Sequence, residues 1–184
     1  MPGKNNSSAF SLIEIMVALM IVVMMATIAV PQFTKLIPGR DRKKFLASFE
    51  SMIVFAKHNA EVTGKIHKIL FDTRERLVAV EITTGGSDQR GQLQSVPIKQ
   101  APIKTRITIP RSLEFRHFVI EGVDEFAQGV RKEVWFYVIP DGMVQDVRIA
   151  MVDVKDLVKG RSRPLSLEIN PFNGRLKVYD EITK

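Results

Sequence analysis

The sequence predicts an α+β protein in which an apolar, membrane-spanning amino-terminal helix is followed by an amphipathic helix packed on antiparallel β-sheet. Three observations predict it. Ile15 to Val30 is sixteen residues without a charge. Phe45 to Ala60 carries apolar side chains at spacings of three and four, and beyond Gly64 the apolar period falls to two between turn signals. The 184 residues, 45% hydrophobic and 26% charged, have the composition of a folded chain with one core. The absence of Cys removes disulfide scaffolds, Cys-ligated metals, iron-sulfur clusters and thiol catalysis together. With 27 Lys and Arg against 20 Asp and Glu, the net charge of +7 permits anionic partners without requiring them.

Within the apolar run Thr27 is the only polar side chain, so no face of a helix there is polar and the segment needs apolar surroundings on every side. Phe10 to Phe33 is 24 residues, which at about 1.5 Å per residue covers the roughly 30 Å hydrocarbon core of a bilayer. A buried central helix of a soluble protein is the competing reading, but the rest of the chain is too small to wrap such a helix completely. The segment before the run, MPGKNNSSA, is short and polar. A secretory signal peptide has its small-residue cleavage site after the apolar region, and VPQFTKLIPGR offers none, so the span is expected to be retained.

The segment Ala9-Phe10-Ser11-Leu12-Ile13-Glu14-Ile15-Met16-Val17-Ala18-Leu19 resembles the class III leader junction of type IV pilins and type II secretion pseudopilins. The resemblance implies a leader over residues 1–9, cut by a prepilin peptidase between Ala9 and Phe10. It further implies N-methylation of Phe10 and a part in subunit assembly for Glu14, four residues on. Ala9 stands where these families usually have Gly, and is similarly small. Pro31 falls where they commonly place a proline, implying a local kink or melted stretch where a helical hydrogen bond is lost. The implied organisation is a transmembrane part over 10–33, a periplasmic part of the same helix over 34–63 and an antiparallel β-domain over 64–184. The protein would cross the inner membrane once, amino terminus in the cytoplasm and carboxyl domain in the periplasm. The positive-inside rule points the other way. Only Lys4 precedes the span, whereas Lys35, Arg40, Arg42, Lys43 and Lys44 follow it. The junction, which fixes several specific positions, is given the greater weight.

After Pro38-Gly39, Phe45, Phe49, Met52, Ala56 and Ala60 form the apolar stripe of an amphipathic helix, with Asp41 placed to cap its start and Gly64 its end. Ile66 to Phe71 and Leu77 to Ile82 flank a short polar loop and read as a hairpin. Val134 to Ile139 and Val144 to Val152 flank Pro140-Asp141-Gly142 and read as a second. Leu165 to Ile169 and Leu176 to Tyr179, joined through Asn173-Gly174, read as a third; Ile107 to Ile109 and Leu113 to Ile120 add two strands. Residues 83–105, 121–133 and 153–164 read as long loops. This order, with Phe136 to Gly142 and Leu167 to Leu176 carrying it, resembles the minor pseudopilin H and FimT group of the pilin families. The acidic, calcium-associated tail typical of the major pseudopilin has no counterpart here.

No enzyme is expected. His58, His67 and His117 are too dispersed for metal-ligand spacing, and H-E-x-x-H and G-x-S-x-G are absent. Asp153 and Asp156 sit in a charged stretch read as solvated, and no cofactor or metal is called for. Met16, Met20 and Met24 form a stripe suited to lipid or to a neighbouring helix. Arg161 and Arg163 share one loop, and Arg175 and Lys177 follow the Asn-Gly turn; such residues can neutralise phosphates. FimT-like minor pilins bind DNA through a basic carboxyl-terminal region that Gly174 to Lys177 is similar to. The even spread of Lys and Arg along the domain favours a solvated face instead. The function implied is that of a minor pseudopilin of type II secretion, a structural subunit near the pseudopilus tip that assists protein export. Its partners would be other minor and major pseudopilins, the prepilin peptidase and the inner membrane. The alternatives are a FimT-like minor pilin binding DNA, in which case nucleic acid is a partner, and a bitopic membrane protein with no filament role.

Overall fold

The computed structural model describes residues 12–35, 39–87, 93–99 and 101–182, with the side chains of 28–35 excepted. The leader and the junction Ala9-Phe10 lie outside the described residues. The chain divides into two compact units, Met1–Pro38 and Gly39–Lys184.

In the first unit, helix α1 spans Leu12–Lys35. It runs on through Pro31, so the expected interruption is not a break in the helix there, although Pro31 has no N–H to give the carbonyl of Thr27. Among the described residues no helix is long and apolar enough to cross a membrane.

The helix expected to continue to residue 63 is instead two helices, and Gly39 takes a left-handed φ of 72° before α2, Arg40–Thr63. A residue with a Cβ is strained at that φ, and here the Cβ would also come within 3.0 Å of the Arg42 guanidinium. Asp41 does not cap α2 as expected. It lies inside the first turn, where its charge favours the helix dipole without closing an N–H. Gly64, also left-handed at φ 64°, ends α2 as expected, its N–H donating to Ala60 O. The stripe of Phe45, Phe49, Met52, Ile53, Ala56 and Ala60 is buried as the spacing requires.

Two five-stranded antiparallel sheets complete the second unit. The first has the order β3-β2-β1-β7, with β4 on the same edge of β2 as β3. Its strands are β1 His67–Asp72, β2 Leu77–Ser87, β3 Leu93–Pro97, β4 Arg106–Thr108 and β7 Glu133–Val138. The second has the order β10-β9-β8-β5-β6, from β5 Leu113–Ile120, β6 Val123–Asp124, β8 Val147–Val158, β9 Arg161–Ile169 and β10 Leu176–Tyr179. Helix α2 packs on β1, β4 and β7. Its stripe joins Ile69, Phe71 and Phe136 of one sheet with Phe118, Ile149 and Leu167 of the other in a single apolar cluster. Phe71 is the hub: Phe49, Phe118 and Phe115 meet it edge-on at centroid distances of 5.4, 5.0 and 6.2 Å.

Three loop and hairpin expectations are corrected. Residues 83–105 hold the end of β2 and all of β3; Gly85 lies inside β2, where the register with β3 shifts, so the glycines mark a bulge and not a loop. Val134 to Ile139 and Val144 to Val152 do not form a hairpin sheet. Strands β7 and β8 belong to different sheets, and β7 meets only the chain before β8, through a bridge between Val138 and Val144 and the bond from Gln145 N–H to Tyr137 O, so Pro140-Asp141-Gly142 turns the chain from one sheet to the other. Residues 153–164 form the outer half of the β8-β9 hairpin. Lys159 and Gly160, at φ 52° and 75°, make its two-residue turn. Pro164 is tolerated in β9 because β10 pairs only with Ser166 to Ile169, leaving one side of β9 open at that point.

Candidate functional site

Side chains from Leu12 to Thr27 of α1 are all exposed. Met16, Met20 and Met24 are 62%, 63% and 59% accessible. A helix surface apolar on every face is matched to apolar surroundings, lipid or other helices. Glu14 is the one acidic group in its first turn, where the unpaired N–H groups of the helix start favour a negative charge.

In the second unit the largest departure from expectation is a buried ion network. Asp153 and Asp156, read as solvated, are 1% and 9% accessible, and Arg42 is 6% accessible. Between Asp153 and Leu157 the register of β8 on β9 shifts, bulging the chain towards α2. Arg42 Nη1 donates to Asp156 Oδ2 at 2.7 Å and lies 3.7 Å from Asp153 Oδ2. Arg163 Nη1 is 3.6 Å from the same Asp156 oxygen, while its Nε donates to Asp180 Oδ1 at 3.0 Å. The hydrogen bond to Asp180 raises the Arg163 pKa, and the same contact holds the Asp180 carboxyl below its ordinary range. The network ties the start of α2 to the β8-β9 hairpin and to the chain after β10. Sequence spacing gave no sign of it, because Arg42 lies more than a hundred residues from the carboxylates it joins.

The four basic residues singled out for phosphate contact are not brought together. Arg161 is exposed at the hairpin turn, whereas Arg163 is engaged with two carboxylates. Arg175 and Lys177 are exposed near the other end of β9, with Lys177 in register with Glu168. From Arg161 to Ile169, beside which β10 starts, the strand covers about 26 Å.

The histidines are likewise separate. His58 is exposed on α2, and His67 is fully buried on β1. His117 Nδ1 lies 2.8 Å from Asp124 Oδ2. Burial raises the Asp124 pKa, but the contact with His117 and the backbone N–H groups of Phe126 and Phe118 outweigh it and leave the carboxyl below its usual range. Among the described residues no group of three or more His, Asp or Glu is placed to hold a metal ion.

Comparison with known proteins adds two findings. The prokaryotic N-terminal methylation motif matches residues 4–30, which include Ala9, Phe10 and Glu14. Two solved structures of the minor pseudopilin EpsH from the type II secretion system of Vibrio cholerae share the fold, with TM-scores of 0.51 and 0.52 at 14% identity. The alignments cover 78% of this chain in each case, and 99% and 96% of theirs. No curated protein sequence matches the chain. This chain therefore joins a prepilin-type methylation motif to a pilin-like α+β fold that resembles a minor pseudopilin.

Proposed function

We propose that the protein is a minor pseudopilin of a type II secretion system, anchored in the inner membrane by α1 with its sheet domain in the periplasm. The observation that carries this reading is the pairing of motif and fold: the methylation motif occupies residues 4–30, and the EpsH-like fold accounts for most of the chain. Processing by a prepilin peptidase would remove residues 1–9 and leave a methylated Phe10. The apolar surface of α1 would then pack first in lipid and, on assembly, against the helices of other pseudopilins. The work is structural, placing a folded domain near the tip of a short filament that helps export proteins. The arrangement of Arg161, Arg163, Arg175 and Lys177 does not favour a DNA-binding reading, since the two pairs lie towards opposite ends of β9 and Arg163 is neutralised by carboxylates.

Intact-mass measurement of the membrane-extracted protein tests the reading at its first step. The mass is expected to match a chain beginning at Phe10 with one added methyl group. A chain that retains Met1 to Ala9 in cells with an active prepilin peptidase refutes it.

A further inference from the structure

The β8-β9 hairpin ends in a tip that no other element of its unit covers. Leu157 and Val158 are 61% and 45% accessible. Lys155, Lys159 and Arg161 stand around them, all exposed. Beside the tip is a groove of about 520 Å³ between the first turns of α2, strand β4 and the turn before β5. Lys44, Lys104, Arg106, Arg111 and Lys155 line it against a single carboxylate, Asp41. Elsewhere in the domain some exposed cations face a carboxylate, as Arg116 faces Glu114 and Arg131 faces Glu125, while others such as Lys43 and Arg74 stand without one among the described residues. None of the five groove cations, nor Lys159 or Arg161, has an ion-pair partner among the described residues.

We propose that this end of the domain docks on an anionic phospholipid surface, Leu157 and Val158 entering the headgroup layer while the surrounding cations and the groove take up lipid phosphates. Exposed apolar side chains ringed by unpaired cations are the chemistry of an interfacial membrane contact. A nucleic acid would satisfy the cations and leave Leu157 and Val158 in water. The tip is held for the task. Arg42 grips Asp156 from α2, and the two-residue turn at Lys159-Gly160 leaves little slack. Only four residues, 36–39, separate α1 from α2 in the chain, so an anchor in α1 tethers the domain to the bilayer by a short connection. The proposal rests on α1 being the membrane anchor. Docked in this way, the subunit would be parked on the bilayer before it enters a filament.

The test uses the full chain in lipid nanodiscs. Because the chain has no Cys, Leu157→Cys carries a polarity-sensitive fluorophore at one position, and Phe172→Cys, exposed beside Lys57 near the other end of α2, is the control. In discs of two parts phosphatidylcholine to one part phosphatidylglycerol, the label at 157 is expected to shift to the blue and to be quenched by nitroxide-labelled lipid, while the label at 172 stays aqueous. Pure phosphatidylcholine or high salt should abolish the shift. Neutralising Lys155, Lys159 and Arg161 to Gln should do the same, each lost charge weakening the contact about fivefold. A label at 157 that stays aqueous in the mixed discs overturns the proposal. So does one that responds only to added duplex DNA or to an acidic peptide. A chain that fails to enter discs at all overturns the anchor itself, which separates the two failures.

Discussion

At the scale of single residues, His67 shows how a buried polar group follows from strand parity and what it costs. It shares the inward face of β1 with Ile69 and Phe71, a placement legible from the alternation alone. Its hydrogen bonding was not legible, because that depends on the turn before the strand and on atoms across the core. Nδ1 lies 3.0 Å from Lys65 O. A carbonyl only accepts, so Nδ1 carries the proton and Nε2 is a bare acceptor with no partner among the described residues. Burial lowers the His67 pKa below its ordinary value, the Lys65 hydrogen bond opposing more weakly. The sign of the consequence follows: below about pH 6.5 the unfolded chain takes up a proton that the native chain refuses, so stability falls as the medium is acidified. His67→Leu is expected to remove the part of the acid destabilisation that begins near that pH. Denaturant midpoints of the two proteins at pH 7.5 and near pH 5.5 check it; parallel losses in both would assign the acid sensitivity to other groups.

At the scale of elements, local pattern was a reliable guide and long-range pairing was not. Helix α2, the β1-β2 hairpin and the β9-β10 hairpin each announce themselves within about twenty residues, through the apolar period and a turn. Strand β3 and the outer β8-β9 hairpin were hidden because Gly85, Gly86 and Pro164 look like breakers until a bulge or an open strand edge is known to receive them. The assignment of β7 and β8 to different sheets is a property of the whole domain that no local turn signal encodes. The Arg42 network belongs to the same class. Its removal should be costly in a particular way: among the described residues Arg42→Leu leaves buried Asp153 the bond from the Lys155 N–H and no cation, while Asp156 keeps Arg163. Breaking a buried pair from one side typically costs about 3 to 5 kcal/mol, and adding Asp153→Asn to Arg42→Leu should recover part of it, since the stranded charge is then gone. Denaturant titration of the three proteins in detergent micelles measures both steps. A double variant no more stable than Arg42→Leu alone would mean that the loss comes from packing of the Arg42 stem rather than from its charge.

At the scale of the whole molecule, the two halves were legible for different reasons: the amino-terminal segment as a motif of specific residues, the domain as a sequence of periods. What joins them functionally is the demand that an apolar helix carry one carboxylate. Glu14 lies near the start of α1, and no basic side chain occurs between Phe10 and Thr34 to pair with it. A carboxylate in the middle of a span costs about 2.5 to 3.5 kcal/mol and less near an edge, so its retention calls for a partner. In a processed chain the nearest positive group in sequence would be the amine of Phe10, four residues away, and the same amine on a neighbouring subunit would be an equally good partner. Intersubunit pairing would set the axial register of one apolar helix against the next, something that lipid-like side chains such as Met16 and Met20 cannot do by themselves. If α1 is the anchor of a pseudopilin as proposed, Glu14→Ala is expected to leave membrane abundance unchanged or raised, since it takes a polar group out of an apolar helix, while cross-linking to partner pseudopilins and secretion both fall. Membrane fractionation and cross-linking of the same cells read the two halves separately. Unchanged cross-linking and secretion in the variant would show that Glu14 is merely tolerated at the membrane edge and that register is set by contacts between the domains.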